Sequence, residues 1–247
     1  MEMLNFVLKN MVNGAASSPA RRRRYRVVSR ADVSRGSGKR PTELHDLVEA
    51  IRACRICRDR PTAARLPHEP RPVLRVSSTA RVCIAGQAPG TRVHASGTPF
   101  TDPSGDRLRD WMGLDHETFY DQSRVAIVPM GFCYPGQDAR GADLPPRREC
   151  APAWRAALFA ALPRLELLLA VGAYAQAWHL GPLARGSLSA TVANWRDIVA
   201  ATARPMVMPL PHPSWRNNAW LKKNRWFEAE LLPVLKEEVA RLLRLSN

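Results

Sequence analysis

At 247 residues the chain can bury one substantial core, or one core and a tail. Its 37 Lys and Arg against 22 Asp and Glu leave a formal charge of +15, a field that attracts polyanions and releases counterions from neutralised phosphates. No apolar run is long enough for a bilayer, the first arginines follow rather than precede the weakly apolar residues 1–12 of a secretory-type start, and an odd count of five cysteines argues against a secreted disulfide framework; a reducing, cytoplasmic setting is expected.

Residues 1–40 are rich in Ser, Gly and Arg and contain Arg21-Arg22-Arg23-Arg24. They read as a disordered basic tail, either tracking phosphate loosely or merely solvating. Order is expected over 41–247. Leu44, Leu47, Val48 and Ile51 repeat at helical spacing with Thr42 as a candidate N-cap, and this helix should deliver Cys54 and Cys57 at its C-terminal end. A Pro- and Arg-rich connection over 61–72 leads to a strand, Val82 to Ala85, and then to Gly86-Gln87-Ala88-Pro89-Gly90.

Further strands are predicted over Val125 to Met130, Leu167 to Val171 and Met206 to Leu210, with a helix through Trp154, Leu158 and Leu162 between the first two. The last strand ends in Pro211-His212-Pro213-Ser214. A final helix from about Trp226 carries Phe227, Leu231, Leu235 and Val239. Such alternation predicts an α/β fold: a three-layer α/β/α sandwich around a mainly parallel, four-stranded sheet. Ligands gather beyond the carboxyl ends of such strands, where both the Gln87 loop and the His212 loop fall.

Four cysteines, Cys54, Cys57, Cys133 and Cys150, can hold a tetrahedral zinc or an iron–sulfur cluster; buried free thiols are the alternative. Cys83 lies within a strand and reads as a small core residue. The glycine loop is neither a Walker loop nor a Rossmann fingerprint, but it lets backbone approach a ligand closely. His212, stiffened by flanking prolines, can donate to an oxygen that gains charge. Phe100 offers a ring face to an extruded base. Asp102, Asp106 and Asp110 share one helical face; the last two, interleaved with Arg107 and Arg109, read as a solvated surface, whereas Asp102 is a candidate for activating water.

These pieces in this order resemble the uracil-DNA glycosylase superfamily, and within it the iron–sulfur branch known as family four. Gly86-Gln87-Ala88-Pro89-Gly90 is similar to the family's first motif, Phe100 to its base-stacking phenylalanine, and His212-Pro213-Ser214 to its second motif. Cys54, Cys57, Cys133 and Cys150 fall in the order of the branch's cluster ligands. The resemblance implies an enzyme that binds single- or double-stranded DNA and flips out a damaged base, uracil first among candidates; one DNA site needs no symmetry, so a monomer is expected. It would stack that base on Phe100, bind it with Gly86, Gln87, Ala88 and His212, and hydrolyse its glycosidic bond. It further implies an architectural [4Fe-4S] cluster, with zinc as the lesser alternative.

Ser214, Trp215, Arg216 and Asn217 continue the His212 loop where related enzymes wedge the duplex, and Lys222 and Lys223 suit phosphate. Trp215 and Trp220 have a rival role as packing for the loop. The chain also departs from the family. Ala88 stands where many members have a water-activating aspartate, and Gln87 where the iron–sulfur branch has an acid. Pro129 aligns with the asparagine that reads uracil. Two alternatives to excision therefore stand: a DNA-binding or damage-recognition module of the same fold, and a zinc-stabilised nucleic-acid protein.

Overall fold

The computed structural model describes residues 43–62, 64–202 and 204–244. The basic tail over 1–40 and the proposed Thr42 cap lie outside them. Four strands, β1 (Val82–Ala85), β2 (Val125–Ile127), β3 (Leu167–Val171) and β4 (Met206–Leu210), form one sheet in the order β2-β1-β3-β4. All pairings are parallel, with Val82 opposite Val125 and Leu167, and Leu167 opposite Met206. Every strand residue except Met206 is buried. The strands are therefore continuous apolar runs, as a sheet covered on both faces requires.

Period-two alternation sends the strand side chains to two separate cores. Val82, Ile84, Val125, Ile127, Leu169 and Met208 pack beneath one helical layer. That layer contains α4 (Pro103–Met112), α5 (His116–Tyr120), α8 (Leu188–Ala193) and α11 (Leu232–Leu243). Cys83, Ala126 and Val128, with Ala85, Leu168, Ala170 and Val207, face the opposite layer. There the sheet is covered by α1 (Leu44–Arg52), α6 (Cys150–Ala160) and α7 (Ala173–Leu180), while α9 (Trp195–Ala201) sends Trp195 to the first core and Ile198 to the second. The predicted three-layer sandwich is the fold. Three short helices complete it: α2 (Ile56–Asp59), α3 (Thr91–Ser96) and α10 (Asn218–Lys223). No helix among the described residues is long and apolar enough to cross a membrane.

Three expected boundaries shift. The second strand stops at Ile127 rather than Met130; on its outer side Ile127 pairs with Arg75, and Pro129, next on that side, has no amide to extend the pairing. Its neighbours still bond across, from Val128 N to Ile84 O (2.8 Å) and Met130 N to Gly86 O (2.8 Å). The first helix ends at Arg52, so Cys54 lies beyond it and Cys57 belongs to α2. The last helical segment opens with a π-turn, Phe227–Leu231, before α11, which has Pro233 in its first turn.

One buried cation ties the second strand to the helical layer below. Arg155 on α6 is 2% exposed. It donates to Val128 O (3.2 Å) and Pro129 O (2.9 Å), and its other terminal nitrogen contacts His179 Nε2 on α7. Burial brings the guanidinium down to about 10. Burial, and then the adjacent Arg155 charge, push His179 down to about 3. His179 is therefore a neutral acceptor. An unfolded histidine titrates near pH 6.5, so the stability from this neutral ring is complete above that value. It is lost as pH falls from there toward 3. His179→Gln keeps an acceptor without a titrating group, and it should flatten the acid-side fall of the urea midpoint relative to the native chain.

Candidate active site at the carboxyl edge of the sheet

From β1 the chain passes outward to β2 and then returns to β3 on the other flank of β1. Loops leaving β1 and β3 diverge at such a switch and open a crevice. A cavity of about 230 Å³ occupies it. Its lining includes Gly86, Gln87, Ala88, Phe100, Asp102 and His212, so the structure brings these predicted residues together.

His212 follows β4, whose end is pinned. Leu210 O accepts from Gly172 N (2.9 Å) and from the buried amide Gln176 Nε2 (2.9 Å). Ser214 N donates to His212 Nδ1 (3.2 Å), and Asn217 Nδ2 donates to His212 O (2.6 Å). An Nδ1 that accepts leaves the proton of the neutral ring on Nε2. Burial lowers the His212 pKa, and the nearby charges of Asp102 and Asp143 offset this only in part. The ring is thus a neutral N–H donor at physiological pH.

Phe100 sits in an unusual backbone conformation for a bulky residue, with φ of 57°. Its carbonyl accepts from Tyr120 Oη (2.9 Å) and Arg109 Nη1 (3.4 Å), while its ring meets Phe119 edge-on. The first turn of α4 presses against the same carbonyl. A Cβ at Gly105 would lie 1.9 Å from Phe100 O, so only glycine fits there. Asp102 caps this helix by accepting from Gly105 N (3.2 Å). Asp106 pairs with Arg109, and Asp110 approaches Lys236 (3.9 Å); both acids are exposed, as expected of a solvated face.

Arg107 departs from that expectation. It reaches from α4 to the His212 loop, donating to Pro213 O (3.3 Å) and Ser214 O (3.2 Å). Its helical neighbours gave no sign of this, because the partner loop is over a hundred residues away. Asp143, Gln137 and Arg92 also line the cavity. The acid and the amide come from the loop between Cys133 and Cys150, where sequence spacing pointed only to metal ligands.

In the glycine loop, Gln87 Nε2 donates to Leu144 O (3.2 Å), and Gln87 O accepts from Gly131 N (3.0 Å). Among the described residues, no hydrogen bond uses the backbone N–H of Gln87 or Ala88. Pro129 lines the cavity as aligned. Of the wedge candidates, Trp215 is 71% exposed with Arg216 over its ring, whereas Trp220 packs against Trp226 and Phe227 and donates to Ser189 Oγ (2.6 Å). Trp220 thus packs the loop, while Trp215 stands open to solvent. Ser214 Oγ caps the turn by accepting from Arg216 N (3.3 Å), and Lys222 and Lys223 are exposed.

Away from this crevice, Cys54, Cys57, Cys133 and Cys150 line a second, narrow cavity of about 20 Å³ with Trp154 and Arg147. Burial raises three of the thiols, Cys133 and Cys150 to about 12, and each of these three lies in the field of Cys54. No three His, Cys, Asp or Glu among the described residues converge tightly enough for a single metal ion. Two buried donors at this cavity, Trp154 Nε1 and Arg147 Nε, have no partner among the described residues. Cys83 is a fully buried strand residue, as expected.

A half-buried histidine donor, a clamped aromatic ring and open backbone amides thus share one crevice at the carboxyl edge of a parallel sheet. The sequence profile of the Uracil DNA glycosylase superfamily matches residues 75–236, well over half of the chain, and the protein belongs to that superfamily.

Arg107→Ala should free the His212 loop, since two hydrogen bonds from a charged donor are worth roughly 1.5–3 kcal/mol each before solvent screening. The expected readout is faster amide exchange at Ser214 and Asn217, with exchange in the β-strands unchanged.

Proposed function

We propose that the protein is a DNA glycosylase that hydrolyses the bond between a damaged base and its sugar, initiating base excision repair, with uracil the first candidate base. The observation that carries this reading is His212, held by Ser214 N so that its Nε2 proton serves a pocket also lined by Phe100. As the bond breaks, negative charge moves onto the departing base. A preorganised neutral donor in a dry site stabilises that charge without reorganising. Phe100 would stack the extruded base, and the free amides of the Gln87 loop would bind it or the water.

The positive field would draw in the phosphates of single- or double-stranded DNA. Exposed Trp215, with Arg216, would fill the space left by the flipped nucleotide, and Ser214, Asn217, Lys222 and Lys223 would contact the backbone. One DNA site needs no symmetry, so the protein acts as a monomer, in the cytoplasm alongside DNA. Uracil selectivity cannot come from Pro129, which has no side-chain donor or acceptor. The amides of Gln87 and Gln137 in the lining offer both kinds of group.

A second reading, DNA or damage recognition without excision, is favoured by one observation: Gln87, where an acid would activate water, cannot accept a proton. An excision assay separates the two. Oligonucleotides carrying uracil, hypoxanthine, xanthine or mismatched thymine should yield alkali-labile abasic sites with at least one base. His212→Ala should lower the single-turnover rate about 10²–10³-fold, with DNA affinity within a few-fold of the native chain. Salt-sensitive binding with no abasic sites would instead support the recognition module.

For the cofactor, the donor set fits a thiolate-bound group, and the orphaned Trp154 and Arg147 donors suit hydrogen bonds to its sulfurs. Cys54, Cys57, Cys133 and Cys150 would hold a [4Fe-4S] cluster, with zinc as the alternative occupant. Its contribution would be architectural, tying residues 54–57 to the loop that runs from Cys133 to Cys150. Anaerobically purified protein should contain iron and sulfide in equal amounts. Cys150→Ala should lose both and lower the thermal midpoint; colourless protein containing zinc would reassign the group.

A further inference from the structure

We infer that Asp143 is the carboxylate that activates water in the pocket, taking the place of the acid missing from the glycine loop. The inference rests on the glycosylase reading above and extends it. Gln87 leaves that reaction without a proton acceptor in the motif where one is expected, and the structure brings an acid to the same pocket from a different segment.

The segment is built to hold it there. Gln137 and Asp143 form an antiparallel bridge, Leu144 N donates to Gly136 O (2.9 Å), and Asp138 N donates to Ala142 O (2.9 Å). Asp138 Oδ1 in turn accepts from the amides of Arg140 and Ala142, each at 2.9 Å. Gln87 Nε2 then ties the hairpin to the glycine loop through Leu144 O (3.2 Å). Asp143 Oδ1 accepts from Gln137 Nε2 (3.3 Å). Its Oδ2 stands over Gly90, where an added Cβ would be only 3.3 Å away. No hydrogen bond among the described residues reaches Oδ2.

Asp102 Oδ1 is committed to capping α4 through Gly105 N, and His212 Nδ1 accepts from Ser214 N, whereas Asp143 is held by a side-chain amide on its own hairpin. Asp143 and Asp102 are the two charges that oppose the effect of burial on His212, so both lie within electrostatic reach of the donor. In the reaction, the water oxygen bonds to the anomeric carbon as the bond to the base breaks, and the bonding pair leaves with the base. One water proton passes to Asp143 Oδ2. The base anion, held by His212 Nε2–H, then takes up a proton, and Asp143 returns its own to solvent. The products are a sugar hydroxyl and a neutral base.

The test is single-turnover excision of whichever base the native protein removes best. Asp143→Asn keeps the Gln137 contact and should slow excision about 10²-fold or more, with DNA affinity and urea midpoint near the native values. Asp143→Ala should be equally slow and should regain rate when formate is added, a response that a purely structural role would not produce. Native activity with an Asp143→Asn rate within about threefold of it, or an Asp143→Ala rate unmoved by formate, overturns the assignment alone. A native protein that excises none of the bases withdraws the glycosylase reading and this assignment with it.

Discussion

Four parallel strands buried on both faces leave polar chemistry nowhere to sit except at their ends. Strand side chains on either face are committed to one of two apolar cores, and a polar group there would lose its hydration without a partner. The carboxyl ends are different. There the Gln87 loop, Pro129 and the His212 loop meet at a reversal of strand order, and the crevice follows from the topology. The candidate site depends on that confinement.

Within the crevice, helix α4 acts as the bracket. Its cap Asp102, its close-packed Gly105, and its cations Arg107 and Arg109 bear on the two groups that must be placed. Phe100 is held through its carbonyl, and the His212 loop through the carbonyls of Pro213 and Ser214. Holding Phe100 at positive φ requires several contacts, because a bulky residue does not rest there unaided. In the proposed reaction, a ring that stacks on a base and a histidine that meets its departing charge would need fixed positions before substrate arrives. Fixing them from one helix makes their separation a property of the scaffold.

The cysteine cavity and the base pocket are linked by a single stretch of chain. Cys133 and Cys150 bound the loop that carries Gln137 and Asp143 into the pocket, and α6, starting at Cys150, carries Arg155 beneath Val128 and Pro129. A group bound by the thiols would brace that loop at both ends. Architecture at one cavity then becomes geometry at the other, without any electron having to pass between them.

The apolar runs over 82–85, 167–171 and 206–210 determined the strands, and their alternation with helices determined the layers, because burial on both faces demands that pattern whatever the partners are. His212, Phe100 and the glycine loop were also legible, since each sits in a local motif that works through its own short segment. What only the tertiary structure decided were the relations between segments distant in the chain: Arg107 reaching a loop a hundred residues away, Asp143 folding over Gly90, and Trp215 exposed while Trp220 is packed. The end of the second strand shifted for a similar reason, because Pro129 reads as apolar in a sequence but offers no amide to the outer side of the strand, where Arg75 pairs with Ile127. Local pattern reports which surface a residue offers; only the packed fold brings a second surface to meet it.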